Sequence, residues 1–188
     1  MIVADGRKAL DEMDPVWLLN QYRAAEVSGV GAVMRMGRLA DGPQLATDLS
    51  RHLRDESEHA WLWTKALRDI GGEIVDVDEP YQTKLSLHFG LPRSLDDLLA
   101  LTWVSESRGA AQYQMHLDEQ AIPANIRQTL RAILKDELWH VAYIREELDR
   151  RVRANGSIQQ TIDRAQAADT KAVADLEALS GQGTERRP

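Results

Sequence analysis

Two short stretches constrain this chain more than any other: Arg54-Asp55-Glu56-Ser57-Glu58-His59 and Lys135-Asp136-Glu137-Leu138-Trp139-His140. Each reads basic-Asp-Glu-x-x-His inside a long helical pattern. Residues three apart share a helix face, so each Glu and its His project toward one point in space. The chain holds five Asp-Glu dipeptides and five histidines, for which chance predicts roughly 0.1 such motifs, and two are present. Two lone glutamates extend the regularity. Glu26 lies thirty residues before Glu56, and Glu106 lies thirty-one before Glu137. The chain therefore reads as one helix pair used twice, with Glu on the first helix and Glu-x-x-His on the second.

Periodicity and punctuation place these residues on helices. Asp14-Pro15 supplies an N-cap and a proline at the first helical position. The helix it opens runs to about Leu39, stopped by Asp41-Gly42-Pro43, and at 1.5 Å per residue spans roughly 37 Å. Its inward stripe carries Tyr22, Glu26, Gly29 or Val30, and Val33. A second helix is expected from about Gln44 to Gly71-Gly72, where glycine offers a left-handed cap. Its inward face reads Leu45, Leu49, Leu53, Glu56, His59, Trp63 and Leu67, with Glu58 solvated. His52, one turn before Glu56, reads as a surface histidine, with support of the ligand Glu as the alternative.

Residues 72–93 break the period and are too long for a turn between antiparallel neighbours. They suit a crossover containing a short helix near Thr83 to Phe89, with His88 structural or exposed. Ser94-Leu-Asp-Asp97 resembles a capping box and opens a third helix to about Glu119. That helix should turn Thr102, Glu106, Gly109 or Ala110, and Tyr113 inward and His116 away from the Glu106 face. The fourth runs from about Ala124 to Ala154 with Leu130, Glu137, His140, Ile144 and Leu148 inward. A fifth, from Ser157 to about Leu179, either caps the bundle or builds a homodimer contact. The expected division is a lead-in over 1–13, a bundle over 14–155, a C-terminal helix over 156–180 and a disordered polar tail over 181–188.

Glu26, Glu56, His59, Glu106, Glu137 and His140, in that order, resemble the ligand set of the ferritin-like superfamily of di-iron carboxylate proteins, over about residues 14–155. The resemblance implies an all-α fold: an antiparallel four-helix bundle with a long crossover between helices 2 and 3 and an added C-terminal helix. It implies that these six residues hold two iron ions, with manganese as the alternative. In the superfamily's pattern the acid before each motif Glu often hydrogen-bonds the His of the facing helix. Carried over, Asp55 orients His140 and Asp136 orients His59, the alternative being ordinary exposed charges. Tyr22, one turn before Glu26, and Tyr113, two turns after Glu106, are candidates to hydrogen-bond a ligand carboxylate or donate an electron. The small residues that follow Glu26 and Glu106 either leave room for dioxygen or a small substrate, or allow close helix packing.

Departures from individual branches narrow the resemblance. Bacterioferritins carry a haem-ligating Met directly after the second-helix Glu; Ser57 stands there, so no haem is expected. Rubrerythrins usually add a Glu three residues after the third-helix Glu, where this chain has Gly109, and classical ferritin sites usually lack the second His, here His140. The absence of cysteine excludes disulfides, iron–sulfur clusters and a rubredoxin-like centre. What remains resembles single-domain di-iron oxidases and oxygenases, including bacterial tRNA hydroxylases of the MiaE type. The implied activity is an oxidoreductase that activates dioxygen or peroxide to oxidise or hydroxylate a small-molecule substrate, with an electron-donor protein as a further partner. Iron oxidation and storage is one alternative, and a non-catalytic bundle is the other. A net charge of −7 argues against nucleic acid as partner; a tRNA substrate would need a local basic patch. No apolar run approaches the length that spans a bilayer, and the first residues lack a signal-peptide apolar region. A cytoplasmic protein without a membrane partner is expected.

Overall fold

Local sequence sets where each helix starts and stops. In the computed structural model, which describes residues 14–77, 80–119 and 122–183 and side chains as far as residue 176, α1 spans Pro15–Leu39. The Asp14 carboxylate accepts the Val16 N–H at 3.0 Å, satisfying one of the helix's orphan donors. Helix α2 spans Pro43–Asp69, starting one residue before expectation because Gly42 is the N-cap and Pro43 takes the first helical position. It ends where Gly71 adopts φ +72° and the Gly72 N–H returns to the Leu67 carbonyl at 2.9 Å.

Helix α3, Tyr81–Phe89, lies in the crossover and stops at Gly90, φ +87°. Helix α4 spans Leu95–Asp118. The Ser94 hydroxyl accepts the Asp97 N–H at 3.1 Å, while the Asp97 carboxylate accepts from Arg93 N–H at 2.9 Å, so the reciprocal bond falls one residue before the cap. Helices α5 and α6 span Ala124–Ala154 and Ile158–Gly183. Helix α6 overruns its expected end at Leu179, so residues 181–183, expected in a disordered tail, are helical. The stretch offers no proline, and one interior glycine costs a helix only about 1 kcal/mol. The expected lead-in (1–13) and the last residues of the expected tail (184–188) lie outside the described residues. Among the described residues the protein is all-α, and no helix is long and apolar enough to cross a membrane.

Helix α1 packs on α2 and α4, and α5 packs on α4 and α2, closing a ring of four. At one end Asn20 ties α1 to the exit of α2, donating to the Glu73 carbonyl at 2.9 Å and accepting from Val75 N–H at 3.0 Å. At the other end Arg151 of α5 reaches Asp96 at 2.7 Å and Asp41 at 2.6 Å. Helices α2 and α4 therefore run the same way, which is why the connection between them must travel the length of the bundle. Helix α6 packs within the chain, against α3 and α4, through Ile162, Ala165, Ala168 and Ala172. Asp169 fastens it by accepting from the Tyr81 hydroxyl at 2.6 Å and from Arg108 Nε at 2.5 Å. His88 is half-buried and pairs with Asp175 at 2.7 Å.

The apolar core falls into two parts. Leu18, Leu19, Tyr22, Trp63, Leu67, Leu130 and Ile133 fill one end of the ring. Met36, Leu45, Leu49, Leu99, Ile144 and Leu148 fill the other. The layer between them is buried but polar, made of Glu26, His52, Glu56, His59, Glu106, Glu137 and His140. Burying that many ionisable groups is unfavourable without partners for them, so this layer is where the fold asks for an explanation.

Candidate metal centre

Helical spacing assembles the layer. His52, Glu56 and His59 are four and three residues apart and share one face of α2, and Glu137 and His140 share one face of α5. Glu26 and Glu106 enter from α1 and α4. The side chains form two groups that share Glu56: Glu26, Glu56, His59 and Glu137 in one, and His52, Glu56, Glu106 and His140 in the other. Within each group one donor atom per residue lies within 4.8 Å of all the others. The six residues singled out by sequence thus meet in one place, joined by His52, which was expected at the surface and is fully buried. Its position one turn before Glu56 is the signal that could have found it.

Donor atoms converge without bonding one another. His59 Nδ1 is 3.0 Å from Glu137 Oε1 and 3.7 Å from Glu26 Oε2. His140 Nδ1 is 3.6 Å from Glu137 Oε2, 3.7 Å from Glu56 Oε1 and 3.9 Å from Glu106 Oε2. Yet His59 Nδ1, His140 Nδ1, His52 Nε2, Glu56 Oε1 and Glu137 Oε1 are all buried with no hydrogen-bond partner. Each such orphan costs about 1–3 kcal/mol. Orphaned donors aimed at common points are what divalent cations satisfy, and carboxylates with imidazoles and no thiolate suit first-row ions. Each of the two groups could hold a metal ion.

One glycine makes room for the shared ligand. A Cβ built on Gly29 would stand 1.7 Å from Glu56 Oε2 and 2.8 Å from its carboxyl carbon. The missing side chain is the space that the Glu56 carboxylate occupies. Next to it, a cavity of about 280 Å³ opens between α1, α3 and α4 and reaches Glu26, Glu56, Glu106 and Glu137. Leu85, Leu98 and Leu101 wall it, Thr102 and Ser105 add hydroxyls, and Gly109 lines it too. Arg35 stands at its exposed side and donates to the Pro92 carbonyl at 2.8 Å.

Burial and mutual repulsion keep protons in the metal-free centre. Burial, then the Glu106, Glu26 and Glu137 carboxylates, push the Glu56 pKa well above the usual carboxylate range. Burial, then Glu137, raise Glu106. For His59 burial acts downward, but the flanking Glu137 and Glu26 carboxylates outweigh it and push the imidazole up to about 12. Burial takes His140 down to about 4 and keeps it neutral. Ligands must shed these protons to bind a cation. Divalent metal added to the apoprotein near pH 7 in weak buffer should therefore acidify the solution, and affinity should rise from pH 6 to 8. A pH-stat and titrations at several pH values check this; pH-independent binding without proton release would contradict it.

The surroundings of the centre are also placed. Asp55 Oδ2 lies 3.5 Å from His140 Nε2, and Asp136 Oδ2 lies 3.6 Å from His59 Nε2, each across from the facing helix and neither bonded. Asp55 is buried and takes the Arg54 Nε–H at 2.9 Å. Burial acts to raise its pKa, and Arg54 and His140 outweigh that and hold it below the usual range. Asp136 is half-exposed and Glu58 fully so. Glu26 Oε1 accepts from both the Tyr113 hydroxyl and Trp63 Nε1–H, the latter at 3.1 Å, a role for Trp63 that its place in an apolar stripe concealed.

Tyr22 does not bond a ligand carboxylate; its hydroxyl pairs with His116 Nδ1. His116, expected to point away from the ligand face, is fully buried and belongs to neither donor group. It is buried where Tyr22 of α1 packs on its ring, with centroids 5.9 Å apart. That burial lowers its pKa to about 4, leaving a neutral ring able to accept a hydrogen bond from the Tyr22 hydroxyl. No protein-family model, curated protein or solved structure matches the chain, so the functional reading rests on the geometry of this centre.

Proposed function

We propose that the chain is a ferritin-like two-metal oxidoreductase that uses dioxygen or peroxide to oxidise a small organic substrate. The observation that carries this reading is a pair of buried donor groups sharing Glu56 and opening onto the 280 Å³ cavity. The ring of α1, α2, α4 and α5 with its long crossover supports the ferritin-like part. Glu26, Glu56, His59 and Glu137 would hold one ion, and Glu56, Glu106 and His140 the other. When bound, a pair of iron ions, or alternatively manganese ions, supplies two-electron redox chemistry toward dioxygen or peroxide.

The chain's own residues do the rest. Four carboxylates balance two divalent charges, so the loaded layer is close to neutral and compatible with its apolar flanks. Tyr113 and Trp63 fix one Glu26 oxygen and leave the other facing His59. The two apolar clusters keep bulk water from both ends of the layer. The leucine-walled cavity takes the apolar body of a substrate, and Thr102 and Ser105 offer it hydrogen bonds. Electrons for turnover would come from a separate donor protein.

The test is aerobic Fe(II) titration of purified apoprotein, desalting, and counting retained iron while following dioxygen. Saturation at about two irons per chain, as a dinuclear site requires, with dioxygen consumed, is the expected result. Uptake of many tens would make the protein an iron store, and retention of neither iron nor manganese would remove the metal reading altogether.

A further inference from the structure

We propose that His52 is a seventh donor of the centre, its Nε2 binding the ion held by Glu56, Glu106 and His140, so that the two metal positions are chemically unequal. This deepens the two-metal reading and rests on it. The His52 ring is fully buried, and its Nε2 has no hydrogen-bond partner while standing 3.3 Å from Glu56 Oε1 and 3.7 Å from Glu106 Oε1. A buried nitrogen aimed at two carboxylates that also face His140 is placed as a ligand is placed.

The other ring nitrogen is already engaged. His52 Nδ1 lies 2.8 Å from the Tyr143 hydroxyl oxygen. If Nδ1 carries the proton and donates it there, the Nε2 lone pair is free for a cation, the usual way an outer hydrogen bond fixes the tautomer of a ligating histidine. Tyr143 is itself held, stacked on Trp139 at 4.6 Å, and the Arg51 guanidinium lies over that indole 3.6 Å from the ring. His52 also stacks on His140, with ring centroids 3.6 Å apart and planes 19° from parallel. Two imidazoles side by side, each with a nitrogen facing the same carboxylates, are favourable when a cation sits between nitrogen and oxygen. The other group contains a single histidine, His59. Tyr143 is thus a positioning residue for the two-histidine side of an unequal pair.

Protein labelled with ¹⁵N-histidine and loaded with Zn(II) tests this by long-range ¹H–¹⁵N correlation. Zinc is the stringent probe, since such sites bind it more tightly than iron(II) or manganese(II). Metal-bound nitrogens are expected at His52 Nε2, His59 Nδ1 and His140 Nδ1. Two zincs retained with a protonated, unligated His52 Nε2 would overturn the seventh donor and leave the two-metal reading standing. Failure to retain zinc would overturn both. His52→Gln, which can still hydrogen-bond Glu56, should weaken one of the two ions at least tenfold and spare the other. Tyr143→Phe should weaken that same ion by about 10–100-fold. Undiminished affinity at both positions in His52→Gln would also overturn the proposal.

Discussion

Gly29→Ala should yield a folded helical protein that does not hold the proposed pair of metal ions. The added methyl would stand 1.7 Å from Glu56 Oε2, and the obstructed group is the far end of a flexible side chain rather than backbone. The helices can therefore stay where they are, but the Glu56 carboxylate must leave. Glu56 belongs to both donor groups, so one displacement removes a ligand from each position. Nothing comparable penalises the metal-free fold. Alanine is favoured over glycine inside a helix by about 1 kcal/mol, and moving one carboxylate out of a crowded acidic layer relieves repulsion. Circular dichroism and thermal melting in chelator should match or slightly exceed the parent protein. Affinity for both ions should fall by more than about 100-fold, the upper end of what losing an outer hydrogen bond to a ligand produces. Gly31→Ala is the control, because no atom lies within 4 Å of the Cβ it would add. Full metal affinity in Gly29→Ala would mean that Glu56 is not a ligand in the place it occupies.

That glycine also marks the limit of what sequence alone could say. Periodicity reports which residues share a face of one helix, and it brought Glu26, Glu56, His59, Glu106, Glu137 and His140 to a single layer. Punctuation was equally readable: Asp14-Pro15, Gly71 and Ser94 sit at helix ends for reasons internal to their own segments. Periodicity does not report what covers the other faces. His116 belongs to neither donor group and is nonetheless buried, because Tyr22 of α1 packs against its ring and pairs with its Nδ1. His52 reads as polar and peripheral until the α5 residues Tyr143 and His140 close over it. The use of Gly29 is legible only once Glu56 from another helix is seen filling its missing side chain. In each case the decisive partner lies on a different element, and spacing along one helix carries no record of it.

Glu56→Gln should raise the melting temperature of the metal-free protein and abolish stabilisation by metal, two effects of opposite sign from one change. Glutamine keeps the shape and removes an ionisable group whose burial beside Glu106, Glu26 and Glu137 is unfavourable. The relief is about 1–3 kcal/mol, the range for an uncompensated buried polar group, at about 2–4 °C per kcal/mol for a chain of this size. The pH dependence distinguishes this account from a generic gain in stability. Glu56 has a folded pKa raised above its ordinary 4.5, so its contribution is complete below that value and is lost as pH rises toward the folded one. His59, raised from 6.5 to about 12, likewise contributes below 6.5 and loses that contribution as pH climbs. His140 and His116, lowered to about 4, act in the other direction, but only between about 4 and 6.5. Above pH 6.5 the downward contributions stand alone, so the metal-free protein should lose stability from pH 6.5 to 9. The loaded protein should gain relative to it over the same window, because cations compete with fewer protons and tighter binding stabilises the native state by mass action. Melting curves with chelator and with metal should therefore diverge as pH rises. In Glu56→Gln the chelator curve should lie higher and slope less, and added metal should no longer separate the two. Parallel curves in the parent protein, or a lower chelator melting temperature in the variant, would mean that the buried acidic layer is held together by something other than the proposed metal pair.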